Sequence, residues 1–238
     1  MRMSVTDCGL RAQARNHRRA PAPPPPDPRV AFFDQRAPTW DDDADDVRRT
    51  LARLAELRGR IGLVPGQDVL EVGCGTGRIT GWLVETVRPG RVVAVDFSPA
   101  MLAQAAVRRL AAEFRWLDVC GEIAAAEQFA VALCFHAFPH FRDQPRALRN
   151  LRRLLRPGGQ LIILHLAGSA ELNHFHSQLA APVCHDLLPA AAAWPALLGR
   201  AGLELVSLVD TEGLFLLKAV SPPTPARREA PRAAAARE

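Results

Sequence analysis

Seven residues between an apolar run and a helical pattern carry the first recognisable chemistry: Glu71-Val72-Gly73-Cys74-Gly75-Thr76-Gly77. Alternating glycines let the backbone turn sharply and let a ligand lie directly against it, where any Cβ would intrude. Nineteen residues after Gly77, the run Val92-Val93-Ala94-Val95 ends on Asp96. A carboxylate there can accept hydrogen bonds from both hydroxyls of a ribose. Together they describe a nucleoside site. A dinucleotide fingerprint, however, runs G-x-G-x-x-G, with the helix N-terminus aimed at a pyrophosphate. Here the spacing is G-x-G-x-G led by Glu71, and an added carboxylate suits a positively charged ligand better than one with two phosphates.

Histidine is the second concentration of reactive side chains. Six of the seven histidines fall between positions 136 and 185. His140, in the stiff run Phe138-Pro139-His140-Phe141, is the leading candidate for a general base, with His165 second, because imidazole titrates near neutral pH. Metal binding competes with that reading. No H-x-x-x-H spacing occurs, and on a helix His174 and His176 would point about 200° apart, so no metal ligand is assigned. Asn173 and His176 would share a face. The third reading is structural, with imidazoles bonding backbone in a cap over the site. His136, Asn173 and His176 are the candidate acceptor contacts from this region.

The elements that must position these groups alternate regularly. Helices are expected over about Asp46–Ile61, Arg78–Val87, Ala100–Ala112, Pro145–Leu155 and Ala190–Ala201. Ser98-Pro99 opens the third, and Pro157-Gly158-Gly159 stops the fourth. Strands are expected over Asp68–Val72, Arg91–Val95, Glu113–Leu117, Phe129–Phe135 and Gln160–Leu166, with a closing hairpin of Leu203–Val209 and Leu214–Ala219. Such βα alternation implies an α/β fold with a mostly parallel sheet covered by helices on both faces. Asp41, Asp42, Asp43, Asp45 and Asp46 precede the first helix, where acids favour its N-terminus.

Over about residues 32 to 219 the sequence resembles the class I S-adenosylmethionine-dependent methyltransferases. An acidic residue followed by G-x-G-x-G is that family's first motif, matched by Glu71 through Gly77. Val92 to Asp96 with Phe97 to Leu102 matches its second strand and following helix, and Leu117-Asp118-Val119 the end of its third strand. Leu148 to Ile163, running through Pro157-Gly158-Gly159, matches its helix, P-G-G and fifth strand. One departure is Ala130, where the family often has Asp. The resemblance implies a Rossmann-like seven-stranded sheet with an antiparallel C-terminal hairpin and S-adenosyl-L-methionine as cofactor. It implies contacts to that cofactor from Glu71, Gly73, Cys74, Gly75, Gly77, Asp96, Phe97, Met101, Asp118, Val119 and Cys134. In family members resembling the ubiquinone and menaquinone biosynthesis enzymes, an N-terminal aromatic and acidic segment folds over the cofactor. Phe33, Trp40 and the Asp34/Asp41 pair look like that segment, with Phe33 and Trp40 as acceptor contacts; a helix merely capping the sheet is the alternative.

Composition narrows the partner. The net charge of +5 is carried by the ends: residues 1–30 hold +4 and residues 222–238 hold +2, leaving the middle at −1. A nucleic-acid enzyme ordinarily carries its positive field on the folded domain. Nucleic acid is therefore not favoured, and a small-molecule acceptor is expected. An RNA or protein methyltransferase, or a non-catalytic S-adenosylmethionine-binding protein, remains the alternative. No apolar run reaches membrane-spanning length. Five scattered cysteines, none in a C-x-x-C pair, suit a reducing, cytoplasmic compartment. Residues 1–29 and 221–238 are expected to be disordered tails around a domain of residues 30–220, with an acceptor-side insertion over 168–189, acting as a monomer or homodimer.

Overall fold

The computed structural model describes residues 27–124 and 127–223. Its elements, in chain order, are α1 (Pro28–Arg36), α2 (Ala44–Ile61), β1 (Val69–Val72), α3 (Thr80–Val87), β2 (Val92–Asp96), α4 (Pro99–Val107) and β3 (Glu113–Trp116). There follow β4 (Phe129–Phe135), α5 (Gln144–Leu154), β5 (Leu155–His165), α6 (Ser169–Ser177), α7 (Trp194–Ala201), β6 (Glu204–Thr211) and β7 (Leu214–Val220).

The seven strands form one sheet in the order β3-β2-β1-β4-β5-β7-β6. β1 to β5 run parallel, and β7 is antiparallel to both β5 and β6. This is the α/β, Rossmann-like fold with a closing antiparallel pair that the resemblance implies. Strand order reverses between β1 and β4, so their C-terminal ends splay their loops apart and leave a crevice, the usual ligand position in such sheets.

Side-chain alternation along β1 explains the two cores. Leu70 and Val72 join Leu148, Leu151, Trp194 and Leu198 under α5 and α7. Val69 joins Leu54, Leu57 and Ile61 of α2 and Leu83 and Val87 of α3 on the other face. All four β1 residues are buried, as expected of a central parallel strand covered on both sides. α2 begins where Asp43 accepts hydrogen bonds from the Asp45 and Asp46 amides, and ends on Gly62 at φ 78°.

Several boundaries differ from the sequence expectation. α4 ends at Val107 rather than Ala112, because the chain turns out at Arg109, which takes a left-handed φ of 52°. α5 stops before Pro157: strand β5 already begins at Leu155, and Pro157-Gly158-Gly159 lies inside it. A Cβ on Gly159 would stand 3.0 Å from the Phe129 carbonyl oxygen, so only glycine lets β5 approach β4 there. The Ala190–Ala201 helix divides into a short turn over Ala191–Ala193 and α7. Ordered contacts also reach a few residues past 30–220 on both sides. Asp27 caps α1, the Gly158 amide donates to the Ser221 carbonyl at 2.7 Å, and the Ser221 amide donates to the Gly159 carbonyl at 2.8 Å. Residues 1–26 and 224–238, the rest of the expected tails, lie outside the described residues.

Candidate active site

A cavity of about 700 Å³ opens at the C-terminal ends of β1, β2 and β4. Its floor is the glycine turn. The Gly73 and Cys74 amides both donate to the Val95 carbonyl, at 2.8 and 3.0 Å, pinning the turn to the end of β2. Gly73 has φ 73°, and a Cβ on it would lie 2.4 Å from the Ala137 Cβ, so the turn passes too close to the next loop for any side chain.

Two buried acids face this turn. Asp96, at the end of β2, accepts from the Gly75 and Ser98 amides, each at 2.8 Å. Burial raises its pKa, opposed by those hydrogen bonds. Glu71 is 2% exposed and accepts from the Thr80 hydroxyl at 2.6 Å. Burial, with the Asp96 charge added, pushes it up to about 8. Among the described residues, neither carboxyl is paired with a basic side chain. Two desolvated acids beside a bare backbone turn attract a cation, and this donor set fits the ammonium, sulfonium and ribose of S-adenosylmethionine better than a pyrophosphate. Cys74, Phe97, Met101, Asp118 and Val119 line the same cavity. Asp118 accepts from the Cys120 amide at 2.9 Å and from Arg142.

Two of the residues implied for the cofactor play other parts. Cys134 is fully buried in the β4 core and does not line the cavity. Gly77 also stands outside it. Its φ is 76°, and a Cβ there would lie 3.3 Å from the Ala105 Cβ, so its bareness serves the packing of α4.

The N-terminal segment closes the cofactor end. Phe33 packs edge-on to Trp40 and Phe97, and both Phe33 and Trp40 line the cavity. Asp34 accepts from the Ser98 hydroxyl at 2.5 Å and the Ala100 amide at 3.2 Å. Asp41 accepts from Thr76, from Arg78 at 2.7 Å and from Arg108 at 2.5 Å. Burial works against the Asp41 charge, but these partners hold it below the usual carboxylate range. The two acids therefore tether the segment to the glycine turn and α4, while its aromatics face the cavity.

The far end holds the histidines. His140, in a turn over Phe138–His140, places Nδ1 2.8 Å from Asp186 Oδ2. His176 bonds the Asp186 carbonyl through Nδ1, and its ring centre lies 5.1 Å from that of His140. Burial lowers the His176 pKa. His136 adopts a left-handed φ of 51°, and its Nε2 accepts from the Leu166 amide at 3.2 Å, so it braces the exits of β4 and β5. Its accessible surface is cavity wall; the crowding around the ring lowers its pKa to about 4. His165 is fully buried, neither ring nitrogen has a hydrogen-bond partner among the described residues, and burial holds its pKa well below the usual value. An imidazole so reluctant to take a proton is a poor general base, whereas His140 has its Nδ1 fixed by a carboxylate.

Asn173 is not with them. Its amide donates to the Leu188 carbonyl at 3.0 Å and accepts from the Leu188 amide at 2.8 Å, bracing the insertion rather than lining the cavity. His174 is exposed and turned away from His176 along α6, as helical spacing implies. Leu166, Leu172 and Phe175 add an apolar wall beside the histidines, and Arg49 and Arg53 of α2 stand at the rim. Asp186 and Arg29 were not singled out by sequence reasoning; an acid in the histidine-rich insertion was the available signal for Asp186.

Residues 69–159 match the family described as "Methyltransferase domain". Over 184 residues the chain is 33% identical to the biotin biosynthesis bifunctional protein BioCD of Bordetella avium, covering 76% of this chain but 38% of that protein. The chain therefore spans well under half of that relative's length. It is 29% identical to the malonyl-[acyl-carrier protein] O-methyltransferase of Paenibacillus sp., covering 74% of this chain and 70% of that one. Among solved structures, a DhpI–SAH complex superimposes with a TM-score of 0.63 at 22% identity, over 82% of this chain and 95% of that one.

Proposed function

We propose that this chain, whose residues 69–159 match a methyltransferase domain on a Rossmann-like sheet, is an S-adenosylmethionine-dependent enzyme that methylates a small-molecule acceptor with His140 as general base. The observation that carries this reading is the His140–Asp186 pair on the wall of the same cavity that holds the glycine turn, Glu71 and Asp96. With Nδ1 occupied by Asp186, Nε2 is the ring nitrogen left to receive a proton from an acceptor hydroxyl, thiol or amine.

Bound S-adenosylmethionine supplies an activated methyl group, so in-line transfer depends chiefly on distance and alignment. Glu71 and Asp96 would hold the charged and ribose portions, and Asp118 with Val119 the base. Phe33, Trp40 and Phe97 exclude water from the cofactor end, and Leu166, Leu172 and Phe175 shape the acceptor end. Exclusion of water matters because it leaves the developing charges to fixed protein groups. A middle region of net charge −1 supports a small acceptor over a polyanion.

The test is transfer of label from radiolabelled S-adenosylmethionine to panels of small hydroxyl, thiol and amine compounds, lipids and RNA. Labelling of a small acceptor, with His140→Ala lowering the rate about 10²–10⁴-fold at little-changed S-adenosylhomocysteine affinity, is the expected result. Labelling confined to RNA would overturn it.

A further inference from the structure

Asp186 is one carboxylate with two cationic or proton-bearing claimants from distant parts of the chain. Its side chain is 1% exposed. Arg29 Nε lies 3.0 Å from each of its oxygens and Arg29 Nη2 2.5 Å from Oδ1, while His140 Nδ1 lies 2.8 Å from Oδ2. Arg29 sits in the first turn of α1, and that helix touches the base a second time: the Phe33 ring centre is 5.1 Å from that of His140. Phe33 and Ala37 further pack with Met101 of α4 and with Val183, three residues before Asp186.

Building on the reading of His140 as the base, we propose that Arg29 is a positioning residue for methyl transfer, which by sharing Asp186 with His140 makes the seating of α1 over the cavity and the aiming of the base a single event. A guanidinium holding both oxygens of a carboxylate fixes its plane, and a fixed plane fixes the imidazole bonded to it. Arg29 also divides the carboxylate charge. Without it, all of that charge falls on His140, and the imidazole keeps its proton to higher pH. The other groups around the ring do not replace Arg29. Asp27 of α1 is held by Arg29 and by Arg142 at 3.5 Å, and His176, His136 and His165 face the ring from α6 and the ends of β4 and β5. An α1 that has left its seat therefore leaves behind a loosely aimed base.

The test needs no acceptor. The imidazole proton resonances of the full chain, saturated with S-adenosylhomocysteine, are titrated by NMR in wild type, Arg29→Met and Arg29→Lys, with His140→Gln to assign the signal. In Arg29→Met the His140 midpoint should rise by about 0.5–1 pH unit, and amide exchange across 30–36 should quicken. Arg29→Lys, which keeps the charge, should return most of the midpoint. An unmoved midpoint in Arg29→Met that still binds S-adenosylhomocysteine overturns the proposal, because a merely structural arginine would change stability alone. If Arg29→Met does not fold, an unmoved midpoint alongside quickened exchange in Arg29→Lys supports it, and quickened exchange with no protection by ligand overturns it. Wild type that fails to bind S-adenosylhomocysteine would bring down the functional reading itself, a separate result.

Discussion

Glu71→Gln isolates the cost of keeping a carboxyl in the cofactor floor. Glu71 is 2% exposed and has no basic partner among the described residues; burial pushes it to about 8 from an ordinary 4.5. The folded state therefore holds this proton more tightly than the unfolded chain does, and stability contributed by the neutral acid is lost as pH rises from the unfolded value through the folded one. With a shift of roughly 3.5 units, the destabilisation reaches about 1 kcal/mol at pH 5.5 and about 3 kcal/mol at pH 7, approaching about 5 kcal/mol above pH 8. Glutamine has nearly the same shape and can accept the same 2.6 Å hydrogen bond from Thr80, but does not titrate. The assay is urea unfolding of the cofactor-free wild type and variant at pH 5.5 and 7. The stability of Glu71→Gln relative to wild type should grow by about 2 kcal/mol between the two, every other group cancelling in the difference. Parallel pH dependences would show that the site solvates Glu71 well, and the reasoning would fail. Above pH 8, where Glu71 is ionised, S-adenosylhomocysteine should bind about 10–100-fold more weakly to the variant, since a charge-assisted contact is lost.

Three further outcomes follow from the same geometry. Gly73→Ala should cost about 2–4 kcal/mol in stability, read by denaturant unfolding, since the new Cβ meets the Ala137 Cβ at 2.4 Å in a left-handed backbone. His165→Phe should raise stability by about 1 kcal/mol, as a buried imidazole without partners among the described residues is replaced by a ring that needs none; a drop in stability would show that His165 has a bond in solution. Asp96→Asn should raise the S-adenosylhomocysteine dissociation constant about 10–100-fold by calorimetry, and a constant within twofold of wild type would remove Asp96 from the cofactor contacts.

The cofactor end was legible because its signals are local. A glycine turn, the acid before it and the acid ending the next strand lie within 26 residues, and parallel strands read as short apolar runs. Single positions were less legible: Gly77 of that motif answers to Ala105, and Cys134, farther on, to the β4 core, contacts that spacing does not reveal. α1 was missed for the same reason. Pro28-Arg29-Val30 reads as the end of a proline-rich tail, and the helix is held by partners far along the chain, with Asp186 157 positions from Arg29. At the acceptor end the sequence offered a crowd of histidines without their partners. His140 was distinguished by its place after β4, but the carboxylate that sets it apart from His165 is 46 positions away. Asn173 and His176 do share a helical face, yet one bonds Leu188 and the other the carbonyl of Asp186.

The two hydrogen bonds joining Ser221 to Gly158 and Gly159 have a practical side. They hold Ser221 beside the start of β5, whereas the cavity opens at that strand's other end, near His165. Seven residues of extended chain put about 20 Å of sheet between them. Asp27, where the described chain begins, is instead part of the cavity wall. A purification handle, fluorophore or surface tether added after Ser221 thus leaves on the blind side and keeps the entrance clear for screening. The same addition immediately before Asp27 would stand in the doorway.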